Sequence, residues 1–115
     1  VVELWGGSDP QPIVQTIAVG EVGGRNIGEL AEVVGVVTAV DPARLIPGLS
    51  QGDLLSEHGL HTGPDDERTV AKSLAHQVEY ARVLAVSAGP ALDGPSGMRP
   101  AVAMLRQLRP AALIV

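Results

Sequence analysis

Apolar residues run along this chain in two rhythms, and the change from one to the other predicts most of its architecture. Residues 33–40 read Val-Val-Gly-Val-Val-Thr-Ala-Val, continuous rather than alternating, which predicts a strand buried on both faces, as in a parallel sheet. Residues 82–87 form a second run of this kind, and residues 1–4 and 112–115 give shorter ones. Between these runs the spacing becomes helical. Val70, Leu74, Val78 and Ala81 fall at steps of four, four and three, an apolar stripe that predicts a helix over residues 66–81 with Thr62, Asp65 or Asp66 as its N-cap. Val102, Leu105 and Leu108 predict another over residues 99–108, ended by Arg109-Pro110. Ile13, Val14 and Ile17 predict a shorter one that opens on Pro10 or Pro12, is capped by Ser8 or Asp9, and stops at Gly20.

The remaining stretches read as connections. Four glycines in residues 20–28 predict a loop, residues 29–32 a brief helical turn, and residues 89–97 a further loop. Residues 42–63 read as irregular, with a short helix around 54–58. Strands alternating with helices predict an α/β fold of three layers, a mainly parallel sheet with right-handed crossovers and flanking helices. Functional groups in such sheets gather at the carboxyl ends of the strands. Those ends are residues 3–8, Asp41 and residues 87–90.

Composition narrows the function classes. The chain has 115 residues, enough for one domain, and with no Phe, one Trp and one Tyr its core must be aliphatic. Its net charge is -5 and its eight basic residues are scattered, which argues against a nucleic-acid partner. No apolar run approaches the roughly 20 residues that span a bilayer, so no membrane partner is expected. The absence of cysteine rules out disulfides and thiolate metal sites and fits a cytoplasmic location. Because the sequence opens on Val1 and closes on Val115 inside apolar runs, it reads as an excerpt from a longer chain.

Candidate chemistry is sparse. The glycine stretch 20–28 follows a helix rather than a strand and is closed by no Lys-Ser or Lys-Thr pair, so it reads as a surface loop and not a phosphate cradle. Lys72, the only lysine, sits inside a helical pattern with no glycine before it. A P-loop is therefore absent. Glu57, His58 and His61 have ligand types that could hold zinc, but Gly59 weakens any helix that would align them, and a solvated loop is the plainer reading. His76 reads as an exposed or partly packed helical residue. The run Asp65-Asp66-Glu67-Arg68 reads as acids favoured in a first helical turn, or as a phosphate- or metal-facing cluster. Glu3 and Asp41 stand at strand ends, where carboxylates hold Mg²⁺ or orient water.

Several of these segments, taken in order, resemble the CobW-type P-loop GTPases. Residues 3–16, Glu-Leu-Trp-Gly-Gly-Ser-Asp-Pro-Gln-Pro-Ile-Val-Gln-Thr, are similar to the family's E-x-x-G-x-x-D-P-x-P-V-x-Q-T. Residues 36–41 resemble its V-V-T-V-V-D-A strand. Asp66-Glu67-Arg68 with Gln77-Val78-Glu79-Tyr80-Ala81 resembles its D-E-R…Q-I-E-F-A-D helix, and residues 105–115 its L-R-x-L-N-P-x-A-x-I segment. The resemblance implies that residues 1–115 are the C-terminal part of a nucleotide-binding G domain. It implies a GTP and Mg²⁺ cycle that delivers zinc or cobalt, as in zinc homeostasis or cobalamin biosynthesis. The implied partners are a metalloprotein client and the N-terminal half of the same domain.

By position, the resemblance makes Glu3 the Walker B-like acid near Mg²⁺ and Gly6 the glycine that senses the γ-phosphate. It assigns Asp41 and Ser87 to nucleotide binding. Two family motifs that precede this stretch, Walker A and a cysteine metal motif, are not among the 115 residues. In place of N-K-x-D stands Ser87-Ala88-Gly89-Pro90, which lacks the carboxylate that reads guanine. The alternative expectation is a degenerate G domain that serves as an interaction scaffold without nucleotide turnover.

Overall fold

A computed structural model describes residues 1–87 and 97–115. The loop expected over residues 89–97 lies outside the described residues, apart from Gly97. Three short strands, β3 (Val37–Val40), β4 (Val83–Val86) and β5 (Leu113–Ile114), form one sheet in the order β3-β4-β5, parallel throughout. Val40 pairs with Val86 and Leu84 with Ile114. The four helices are α1 (Pro10–Val19), α2 (Pro42–Ser50), α3 (Val70–Tyr80) and α4 (Met98–Leu108). The chain is thus a mixed α/β protein with a three-stranded parallel sheet. No helix among the described residues is long and apolar enough to cross a membrane.

The strand sequence β3, β4, β5 steps in one direction across the sheet, so right-handed crossovers place the connecting helices on a single face. Val40 and Leu84 on that face join Leu45 of α2, Val78 of α3, Ala81, and Ala101 and Leu105 of α4 in the buried core. Val37, Leu113 and Val115 lie exposed on the opposite face. The expected second helical layer is therefore not seen among the described residues, which make two layers. The same geometry corrects the reading of residues 33–40. Only Val37–Val40 is strand, and its burial alternates, because β3 is an edge strand covered on one side. Residues 34–36 are held alongside β4 by Arg82, whose Nη1 donates to Val34 O at 3.0 Å and whose amide donates to Val36 O at 2.9 Å.

Residues 1–4 form no strand, and Val1 and Val2 are exposed. The loop expected over residues 20–28 is instead a small antiparallel hairpin, β1 (Glu21–Val22) with β2 (Arg25–Asn26), followed by a 3-10 turn at Ile27–Glu29. Its two-residue link is Gly23-Gly24, with φ of 61° and 76°. Both values are cheap only for glycine, and both are what a tight hairpin turn requires.

Helix α2 lies in the stretch expected to be irregular, where Pro47 and Gly48 look like helix breakers. It forms since Asp41 caps it, Oδ1 accepting from Ala43 N at 3.0 Å, and Pro42 occupies its first turn, where no amide is needed. Pro42, Leu45 and Gly48 then share its buried side. Gly48 lets α3 approach closely; a Cβ there would lie 3.0 Å from Leu74 Cδ2.

Helix α3 starts at Val70, the first residue of its apolar stripe and four residues later than the expected start at 66, with Thr69 as N-cap in place of Thr62, Asp65 or Asp66. The preceding backbone is engaged elsewhere. Leu55 N donates to Arg68 O and Val70 N to Asp53 O, both at 2.9 Å, an antiparallel contact that also seats the 3-10 turn Leu55–His58. The stripe itself is as expected, with Val78 and Ala81 fully buried and Leu74 packed against them. Helices α1 and α4 and strands β4 and β5 appear where the pattern places them, within a few residues.

Candidate functional site

The segment Gly6-Gly7-Ser8-Asp9-Pro10 folds as turn chemistry dictates. Ser8 N donates to Trp5 O at 2.8 Å, closing a four-residue turn, and Asp9 Oδ1 then accepts from Gln11 N at 3.1 Å to start α1. Three successive carbonyls of this turn are gripped from the α3 side. Gln77 Nε2 donates to Gly6 O at 2.8 Å and to Ser8 O at 3.0 Å, and Arg68 Nη2 donates to Gly7 O at 2.8 Å. Gly7 is buried, and a Cβ on it would strike the main-chain oxygen of Leu60. The Gly6 and Gly7 amides donate to no acceptor among the described residues.

Arg68 is itself fixed. Its Nε donates to Asp66 Oδ1 at 2.9 Å and its Nη2 to Asp66 Oδ2 at 2.8 Å, a bidentate fork. Asp66 Oδ2 also accepts from Thr62 N at 3.0 Å, and only 6% of its side chain is exposed. The Arg68 guanidinium, then the Thr62 amide, hold the Asp66 carboxyl well below the usual carboxylate range, and Asp66 in turn raises Arg68. The acidic run 65–68 therefore lies ahead of the helix rather than in its first turn, and Asp66 is a structural hub.

A pH dependence follows. A carboxyl depressed in the folded state adds stability above its unfolded value of about 3.9, and that stability is lost as pH falls further. Urea unfolding of wild type and Asp66→Asn is expected to differ most above about pH 5, and the gap to narrow progressively as pH falls from about 4 towards 2. A gap of constant size through that range contradicts the assigned pairing.

The sequence-derived residues fall into separate groups. Asp41 and Ser87 come together: Val40 pairs with Val86, so both follow directly at the carboxyl ends of adjacent strands. Ser87 N donates to Val40 O at 3.0 Å, while the Asp41 carboxylate caps α2 and lies 3.6 Å from Arg44 Nε. Gly6 sits in the gripped turn, and Glu3 lies exposed three residues before it. Glu57, His58 and His61 are not assembled as a ligand set. Glu57 Oε2 accepts from Leu54 N at 2.6 Å, His58 Nε2 lies 2.9 Å from Asp53 Oδ2, and His61 is exposed. No group of three or more His, Asp or Glu side chains among the described residues could hold a metal ion. His76 is exposed on α3, its Nδ1 3.8 Å from Asp9 Oδ2.

Residue-by-residue reading missed Gln77 and Arg68 as organisers of the turn. The signal available was their place in the D-E-R…Q pattern, which the resemblance marked without giving either a task. Together the fold and this geometry define a mixed α/β protein with a clamped glycine turn and a parallel-sheet rim carrying Asp41 and Ser87. No family model matches the chain, and no solved structure matches it significantly.

Proposed function

We propose that the chain is the C-terminal part of a CobW-like GTP-binding domain, a partial P-loop NTPase G domain whose nucleotide cycle delivers zinc or cobalt to a metalloprotein client. The observation that carries this reading is the turn at residues 5–8. Its carbonyls are occupied by Gln77 and Arg68, while the amides of Gly6 and Gly7 are left for an anion, as a glycine that senses a terminal phosphate requires. The parallel sheet adds a rim of the kind where nucleotides bind.

The residues present fit part of a GTP–Mg²⁺ site. Glu3 offers an exposed carboxylate for the metal's coordination sphere, the turn offers amides, and Ser87 offers a hydroxyl at the rim. Bound Mg²⁺ would neutralise charge building on the phosphates. The cradle for those phosphates needs a GxxxxGK[ST] loop, and the 115 residues hold none. Zinc or cobalt is cargo in this reading and is assigned no ligands here.

Incubated with GTP and Mg²⁺, the 115-residue protein is expected to release no phosphate above the protein-free rate. Turnover that disappears on Glu3→Ala would overturn that expectation. A second reading, a degenerate G domain acting as an interaction scaffold, is favoured by the exposed apolar face of Val37, Leu113 and Val115. It also draws on Ser87-Ala88-Gly89-Pro90 standing where guanine would be read.

A further inference from the structure

We infer that Gln77 is the positioning residue of the glycine turn, setting the direction of the Gly7 amide by holding the carbonyl that shares its peptide plane. The inference rests on the reading that this turn meets an anion, and it adds what the grip of Gln77 does to that turn.

Gln77 is fixed at both ends. Its carboxamide Nε2 directs one hydrogen to Gly6 O at 2.8 Å and the other to Ser8 O at 3.0 Å. The orientation of the amide is determined by its partners, since the flipped form would set Oε1 against two carbonyl oxygens. Its main-chain oxygen lies in the last turn of α3, where the helix supplies no partner, and Thr38 Oγ1 of β3 donates to it at 2.8 Å. The side chain that grips the turn is thus anchored to both helix and sheet.

Peptide planarity converts that grip into an orientation. In a trans peptide the C=O of one residue and the N–H of the next point in opposite directions. Holding Gly6 O on Gln77 therefore turns Gly7 N–H away from α3. The Ser8–Trp5 hydrogen bond acts the same way on Gly6 N–H, because it fixes Trp5 O. Two neighbouring amides are thus aimed by restraints on the carbonyls behind them. A side chain without two N–H hydrogens at this position cannot hold both acceptors.

The test needs no nucleotide, so failure of this inference leaves the GTP reading standing and is told apart from failure of that reading. In the wild-type protein, side-chain amide protons of Gln77 are expected to exchange with solvent about tenfold or more slowly than those of exposed Gln11, the effect of two ordinary hydrogen bonds. Trp5, the only tryptophan, sits at the start of the turn and is 60% exposed, so its fluorescence reports on it. Gln77→Met keeps the bulk and removes both donors, and Gln77→Glu keeps the shape and replaces donors with acceptors. Both are expected to lower Trp5 anisotropy and raise acrylamide quenching, while Gln11→Met leaves both at wild-type values. A role in packing alone would survive Gln77→Met. Gln77 protons that exchange as fast as those of Gln11, or wild-type Trp5 signals in Gln77→Met, overturn the inference. The exchange measurement stands even if a variant fails to fold.

Discussion

Truncating Leu84 to alanine is expected to lower the free energy of unfolding by about 2–5 kcal/mol, the range for a buried leucine whose cavity cannot collapse. Leu84 is fully buried in the central strand, between Thr38 and Ile114, and packs into the cluster formed by α2, α3 and α4. Among the described residues that cluster contains no aromatic side chain and its buried set is seven side chains, so few large groups stand ready to fill the void. Against a total of about 5–15 kcal/mol for a domain, the loss is a large fraction. The control is Leu113→Ala on the bare face of the sheet, where 62% exposure predicts a change within about 0.5 kcal/mol. Urea midpoints of the two variants measure both. Equal losses would mean that the helices do not pack on the face assigned to them.

The second large effect is expected at Gly7. A methyl group there meets the main-chain oxygen of Leu60, which cannot rotate away as a side chain would. Gly7→Ala is therefore expected to cost about 1–3 kcal/mol, as overpacking does, and to pull the turn off Arg68 and Gln77. Gly6→Ala is the contrast, one residue away. Its Cβ would meet Leu60 Cδ2 at 3.5 Å, an ordinary contact with the end of a side chain, and its effect is expected to be small. Thermal unfolding and Trp5 emission distinguish the two. A Gly7→Ala protein as stable as Gly6→Ala would contradict the close approach of these loops.

Much of this fold could be read from periodicity, and the misreadings have physical causes. Helix α4 and strands β4 and β5 were legible because their apolar spacing and end signals agree, as at Arg109-Pro110. Helix α2 was hidden because Pro47 and Gly48 carry poor propensity, whereas Asp41 capping and burial of Leu45 decide the outcome. The hairpin at Gly23-Gly24 carried the strongest short-range turn signal in its stretch, and only the count of glycines disguised it as a loop. Asp66 looked like a helical cap by its position before the stripe. A tertiary partner, Arg68, claimed its carboxylate instead.

The candidate site was legible in kind but not in assembly. Asp41 and Ser87 meet because a parallel register aligns the ends of their strands, which strand order alone suggests. The clamp on the turn joins residues far apart in sequence, Gly6 with Gln77 across 71 positions and Gly7 with Arg68 across 61, and no local pattern encodes such pairs. Glu3 stays outside both groups, in a segment that forms no strand.

The measurement closest to the central claim is GTP hydrolysis by the product of the intact reading frame, assayed with and without Glu3→Ala. Turnover that depends on that carboxylate, alongside none from residues 1–115 alone, is the result that the proposal of a partial G domain predicts. An intact product that hydrolyses GTP equally well with alanine at position 3, or that neither binds nor hydrolyses it, would contradict the account.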